Sequence, residues 1–168
     1  MSAKYAFGVC RIEPENNIHV ILEAFQSDLQ MPLIMVGNWQ QSDYGQSLFD
    51  RFNQVDGITL LAPIYNKKEL DKLRANCSLY VHGHSCGGTN PSLVEAMYLG
   101  LPIAAFDVNF NRETTENKAL YFSSADELHR IIADADKVDL PAIAAAMKEI
   151  ADRRYTWKRI AECYAALL

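Results

Sequence analysis

Leu79-Tyr80-Val81-His82-Gly83-His84-Ser85-Cys86-Gly87-Gly88-Thr89-Asn90-Pro91-Ser92 is the stretch on which the fold turns. Its first four residues form a short apolar run, as a strand buried on both faces requires. The next nine are small, polar and glycine-rich. Ser92–Leu99 then reads as a helix stopped by Gly100. A buried strand passing through a glycine loop into a helix makes an anion site, because the helix start offers free N–H groups and a partial positive charge. By composition alone the loop reads either as a phosphate cradle or as a structural turn. Glu95, just inside the helix, either complements the helix dipole or accepts hydrogen bonds from two hydroxyls of a ligand.

The same alternation extends outward in both directions. Strands are expected at Tyr5–Cys10, Leu33–Gly37, Ile58–Leu61, Leu79–His82, Pro102–Phe106 and Leu120–Phe122. Helices are expected at Ile18–Phe25, Asp43–Val55, Asn66–Ala75, Ala125–Asp134, Pro141–Arg153 and Trp157–Leu167. Ile18, Ile21, Leu22 and Phe25 carry the three-and-four spacing of one buried stripe, and Ser124 with Glu127 has the form of a capping box. Such alternation implies an α/β fold: a Rossmann-like parallel sheet of about six strands, with right-handed crossovers and helices on both faces. Ligands of these sheets bind outside the carboxyl ends of the strands. The loops of interest are therefore 10–17, 37–43, 62–66, 83–91 and 107–118.

Composition narrows the function. At 168 residues the chain is one domain, 1–168, with no internal boundary. Sixteen basic against 21 acidic residues give a net charge of −5, and no Lys/Arg block is present, which argues against nucleic acid as a partner. The longest apolar run, Leu140 to Met147, is far short of a membrane span, and the first residues lack the apolar stretch of a secretory signal. Cys10, Cys77, Cys86 and Cys163 form no Cys-x-x-Cys pair and read as reduced thiols of a cytoplasmic protein. No carboxylate cluster at metal spacing is read in the strand-end loops. No metal and no cofactor are expected. Gly8-Val9-Cys10-Arg11-Ile12-Glu13 departs from the dinucleotide fingerprint, which sets an oxidoreductase aside.

Gly87-Gly88-Thr89-Asn90-Pro91-Ser92-Leu93-Val94-Glu95-Ala96-Met97 resembles the donor-site motif of the retaining glycosyltransferase family four, a GT-B family. Cys10-Arg11-Ile12-Glu13-Pro14-Glu15-Asn16-Asn17 is similar to that family's Gly-Arg-Leu-x-Pro-Glu-Lys-Asn loop, Val36-Gly37 to its Val-Gly turn, and Tyr155-Thr156-Trp157 onward to its closing helix. The spelling of both loops is closer still to a rhamnosyltransferase-like bacterial subgroup. The resemblance runs from about Tyr5 to the end. It implies the donor-binding half of a GT-B fold, taking a nucleotide diphosphate sugar as substrate. It implies that Arg11 holds the diphosphate, Glu95 the ribose, and the backbone of Gly87, Gly88 and Thr89 the phosphates. Asn90 either contacts the sugar or only caps the helix, and Ile64 is expected to line the base. The family's first glutamate falls at Gly87 and its lysine at Asn16, so one cation stands where two are usual. Arg112 and His84 are the candidates for a second, His84 through being held protonated beside a phosphate. With Arg11, His84 is expected to serve the reaction itself.

The same resemblance implies retaining transfer, metal-independent, of a sugar such as rhamnose to a polysaccharide or lipid-linked glycan acceptor. An acceptor-binding domain is expected before Tyr5, where this chain has none, so the chain alone is expected to bind donor weakly and transfer nothing. Peripheral membrane association is expected only through the full-length enzyme, at the inner face of the membrane. The contrary reading is a non-catalytic nucleotide-binding module, favoured by Asn16 and Gly87. Bland readings also stand beside the sharp ones. Arg11 pairs with Glu13 or Glu15 as an ordinary loop charge; His82 is a core histidine; His19 and His129 are solvated; Trp39 packs; and 113–116 is a solvated charged face.

Overall fold

The computed structural model describes residues 4–26 and 31–156, together with 159, 161, 162 and 165. The expected Trp157–Leu167 helix lies largely outside the described residues. Six strands form one parallel sheet: β1 Ala6–Val9, β2 Leu33–Val36, β3 Ile58–Leu61, β4 Leu79–His82, β5 Ile103–Phe106 and β6 Leu120–Phe122. Their order is β3-β2-β1-β4-β5-β6. The chain winds one way from β1 to β3 and returns to the other side of β1 for β4. That reversal leaves a crevice at the carboxyl ends of β1 and β4, the switch point of a Rossmann-like fold.

Among the described residues five helices connect the strands, α1 Ile18–Ala24, α2 Asp43–Phe52, α3 Lys67–Ala75, α4 Pro91–Tyr98 and α5 Asn109–Thr114, and two follow β6, α6 Ala125–Ala133 and α7 Leu140–Arg154. The period-2 alternation of the strands divides the core between the two faces of the sheet. Ala6, Leu33, Met35, Leu79, Val81 and Ala104 pack under α1, α2 and α6 with Ile21, Phe52 and Leu128. Phe7, Val36, Tyr80, Ile103 and Ala105 pack under α4 and α7 with Leu93, Met97, Met147 and Ile150. Each fully buried Leu, Ile or Phe contributes about 1.5–3 kcal/mol of transfer free energy.

Local signals place the helix ends. Side chains of Ser42, Asn66, Asn90, Ser124 and Asp139 accept hydrogen bonds from amides in the first turns of α2, α3, α4, α6 and α7. Gly100, at φ 64°, ends α4, with its amide on the Met97 carbonyl and that of Leu101 on Ala96. The Ser124–Glu127 box forms with one shift: Glu127 reaches back to the amide and hydroxyl of Ser123. One expectation fails. The 107–118 segment is not a loop throughout, because Asn109–Thr114 is helical as α5. No helix among the described residues is long and apolar enough to cross a membrane.

Candidate functional site

Two loops leave the switch point, and the chain ties them together. After β1 the backbone runs through Arg11 into a 3-10 turn, Pro14–Asn16. After β4 it enters the glycine loop. The carbonyl of Glu15 accepts from both the amide and the hydroxyl of Ser85, each at 2.9 Å. Asn17 Nδ2 donates to the Gly83 carbonyl at 2.8 Å. Gly83 lies so close to the first loop that a Cβ there would stand 2.1 Å from the Asn16 carbonyl oxygen. Only a residue without a side chain permits that approach. Asn16 is itself buried and donates from Nδ2 to the Arg11 carbonyl, so it holds the loop's shape rather than facing a ligand.

Arg11 projects from this junction with a side chain 77% exposed, 3.3 Å from Glu13. It lines a cleft of about 240 Å³ with Cys10, Gly37, Gln41, Ile64 and Tyr65, so the structure brings Arg11 and Ile64 to one place. Beside it the glycine loop is open. Gly87 adopts φ 106°, and a Cβ on Gly87 or Gly88 would meet nothing within 4 Å. The amides of Gly87, Gly88 and Thr89 meet no acceptor among the described residues. Unsatisfied amides in a glycine-rich turn at a helix start form an anion-binding concavity. Asn90 spends its side-chain oxygen on Ser92 and so caps α4.

The two candidates for a second cation are otherwise employed. Arg112 donates to both carboxylate oxygens of Asp107 and stacks its guanidinium on Tyr121 at 4.2 Å. That hydrogen bonding holds the Asp107 carboxyl below the usual carboxylate range. His84 stacks on His82 at 4.4 Å between ring centroids, the planes 10° apart. Burial, and then the Arg11 charge, push the His84 pKa below the ordinary histidine value. Burial and the Arg11 charge thus disfavour the protonated form of His84 that the sequence reading expects. His82 is buried as expected, with its pKa also lowered by burial, but its Nε2 has no hydrogen-bond partner among the described residues. Burial pushes the Cys10 thiol up to about 12, which removes it as a nucleophile near neutral pH.

Other side chains settle into packing. Trp39 is buried and donates to the Leu61 carbonyl at 2.9 Å. His19 and His129 are not simply solvated: the first meets Tyr44 Oη and the second the Ala24 carbonyl. Glu113 and Glu116 pair with Arg153 and Arg154 of α7. Glu95 lines a second cleft of about 170 Å³, between α3 and α4, with Lys67, Asp71, Arg74 and Tyr98, apart from the one that Arg11 and Ile64 line. There it pairs with Arg74, whose side chain is only 4% exposed.

The burial of Arg74 and Asn111 is what sequence reading missed. Leu70, Leu73, Arg74 and Cys77 follow the three-four-seven spacing of a buried stripe, so a charge at Arg74 was the available signal. Asn111 is wholly buried and donates to the carbonyls of His84 and Phe106, at 2.9 and 2.8 Å. It lies in a polar run that offered no such signal. Among the described residues no group of three or more His, Cys, Asp and Glu side chains is placed to hold a metal ion.

Fold and site together define an open α/β domain with two loops bonded to one another at its switch point. The chain belongs to the Glycosyl transferases group 1 family, whose sequence profile matches residues 2–152. No protein of curated function matches it. Among solved structures, Anabaena Alr3699/HepE in complex with UDP-glucose superposes with a TM-score of 0.79 at 23% identity, over 97% of this chain and 49% of its own. Sucrose-phosphate synthase from Thermosynechococcus elongatus gives 0.80 at 20% identity, over 99% and 45%. The C-terminal domain of the group 1 family protein LpcC from Francisella tularensis gives 0.73 at 19%, over 91% and 87%. The chain thus spans about half the length of the first two, and its fold is that of one half of a GT-B glycosyltransferase.

Proposed function

We propose that this chain is the nucleotide-sugar-binding half of a metal-independent, retaining glycosyltransferase. The observation that carries the reading is the junction at the switch point, where the Arg11 loop and the glycine loop are bonded into one anion-accepting surface. On this reading Arg11 and the amides of Gly87, Gly88 and Thr89 receive the diphosphate. Ile64 contacts the base, and Glu95 accepts from the ribose. The HepE neighbour, in complex with UDP-glucose, supports a donor of this chemical class.

Transfer of a sugar from a nucleotide diphosphate builds negative charge on the departing phosphate. Fixed donors aimed at that charge stabilise the transition state without a metal. Arg11 and the loop amides supply such donors, and His84, neutral and between the two loops, supplies a hydrogen bond rather than a charge. The departing phosphate takes the acceptor proton, so no protein nucleophile is needed. The sugar is proposed to be a deoxyhexose such as rhamnose, on the spelling of the two loops. The acceptor is a polysaccharide or lipid-linked glycan, held by a second domain. By itself the chain then binds donor and transfers nothing, and the full enzyme works in the cytoplasm or at the inner face of the membrane.

Ligand-observed NMR against a panel of nucleoside diphosphates and their sugars tests this. At least one nucleotide sugar is expected to bind the chain, and Arg11→Ala to weaken it about tenfold or more, as for loss of a hydrogen bond to a charged group. No binding by any member would refute the reading. A second reading, a non-catalytic nucleotide-binding module, draws on Asn16, whose side chain serves the loop backbone where a cation is usual. Turnover by a two-domain protein containing this chain decides between them.

A further inference from the structure

Arg74 is the only Lys, Arg, Asp or Glu that is buried among the described residues. It stands on the buried side of α3, beside Leu73, where packing alone calls for an apolar residue. Removing a guanidinium from water is expensive, and its partner Glu95 is 46% exposed, so solvent screens much of the return. The Nε of Arg74 is also left without a hydrogen-bond partner. Fold stability therefore gives no account of this residue. Its effect on Glu95 does. Arg74 engages Oε2 of that carboxylate, while Oε1 has no hydrogen-bond partner among the described residues.

We infer that Arg74 is a positioning residue: it fixes the rotamer of Glu95 and turns the free carboxylate oxygen toward the hydroxyls of a nucleotide ribose. A glutamate carboxylate three rotatable bonds from its helix otherwise samples several rotamers, and locking it before ligand arrives removes that cost from binding. The anchor is well suited to the task. It is planar, always charged and immobilised by its own burial. The inference rests on Glu95 as the ribose acceptor, and the test separates the two.

The readout is a ratio of dissociation constants. Among UDP, GDP, ADP and CDP, the tightest-binding nucleotide is titrated calorimetrically against its 2′,3′-dideoxy form, which lacks both ribose hydroxyls. For the unaltered chain the dideoxy form is expected to bind about tenfold more weakly or worse, the loss of a hydrogen bond to a carboxylate. Glu95→Gln shrinks that ratio if Glu95 is the acceptor. Arg74→Met, which fills the same volume, is expected to bring the ratio within about threefold of one while leaving affinity for the dideoxy form unchanged. Arg74→Lys keeps a cation but not the fork, and it lowers the ratio as well should the methionine variant fail to fold. A ratio preserved in both Arg74 variants overturns the inference, and so does an equal loss for both nucleotides, which is what a merely structural role produces. A ratio near one in the unaltered chain, unmoved by Glu95→Gln, instead removes the ribose reading and the inference with it.

Discussion

Gly83→Ala is the sharpest probe of how the site is built. Nothing in the backbone forbids alanine there, since Gly83 is not among the residues with positive φ. The obstacle is space. The added carbon would stand 2.1 Å from the Asn16 carbonyl oxygen and 2.9 Å from Ile21 Cδ1. Carbonyl oxygen on a hydrogen-bonded turn does not swing aside as a side-chain end does, so the two loops must part by about 1 Å. Overpacking of this kind costs about 1–3 kcal/mol. Parting also strains the bonds from Ser85 to Glu15 and from Asn17 to Gly83, each worth about 0.5–1.5 kcal/mol. A total of about 2–4 kcal/mol is expected as a fall in the urea midpoint with an unchanged slope. Under conditions where the variant remains folded, nucleotide affinity should fall about tenfold or more, because Arg11 and the loop amides no longer meet one diphosphate. Gly88→Ala serves as the control for stability, since its Cβ would meet nothing within 4 Å. A stability loss in Gly83→Ala below about 0.5 kcal/mol would refute the steric argument. Full stability loss with unchanged affinity would refute the two-loop site.

Other outcomes follow from the same geometry. Gly87→Ala forces a side chain into φ 106° and should cost about 1 kcal/mol or more in thermal unfolding, whereas Gly88→Ala should stay within about 0.5 kcal/mol. The folded state holds the His82 pKa well below 6.5, so the unfolded chain binds more protons in acid. Stability is therefore flat above pH 6.5 and falls as pH drops from there toward the folded pKa, by up to about 1.4 kcal/mol per pH unit from His82. Urea midpoints at about pH 7.5, 6.5 and 5.5 check this, and His82→Gln should flatten the slope. Asn111→Ala leaves the carbonyls of His84 and Phe106 without their buried donor, at a cost of about 2–4 kcal/mol. Faster amide exchange over 84–90 is the matching observation, and unchanged exchange there would show that α5 does not support the loop.

The strands were legible because their apolar runs are buried on both faces: all six lie within one residue, at each end, of where the patterns place them, and β3, β4 and β6 match at both ends. Helix starts were legible through Asn90 and Ser124, whose side chains act on the next few amides and need no knowledge of the rest of the chain. What escaped depends on partners far along the sequence. Asn109–Thr114 has no apolar period, and it is helical around an asparagine that bonds to His84, 27 residues earlier. Arg112 read as a free cation because its sign is visible in the sequence and its engagement with Asp107 is not. His84 read as a cation for the same reason: stacking on His82 and proximity to Arg11 are tertiary facts.

The support of the glycine loop reaches further than its own strand and helix. Thr89 Oγ1 meets Thr114 Oγ1 at 3.3 Å, and Asn111 holds the His84 carbonyl, so α5 grips the loop at two points. From its other side α5 is held by the end of α7, through Arg154 on the Glu113 carbonyl and Tyr155 Oη on that of Thr114, at 2.8 and 3.1 Å. The surface ion pairs of Arg153 and Arg154 add about 0–1 kcal/mol each, so they cannot be the main fastening. The bonds to backbone carbonyls can, because they fix main chain to main chain through a single side chain. The glycine loop is thus located from three directions: by Glu15 and Asn17 of the Arg11 loop, by Asn111 within α5, and by α7 through α5. A short glycine-rich segment has little stiffness of its own. Held at these points, it keeps its open amides in place before any anion arrives, which is the condition under which they stabilise charge at least cost.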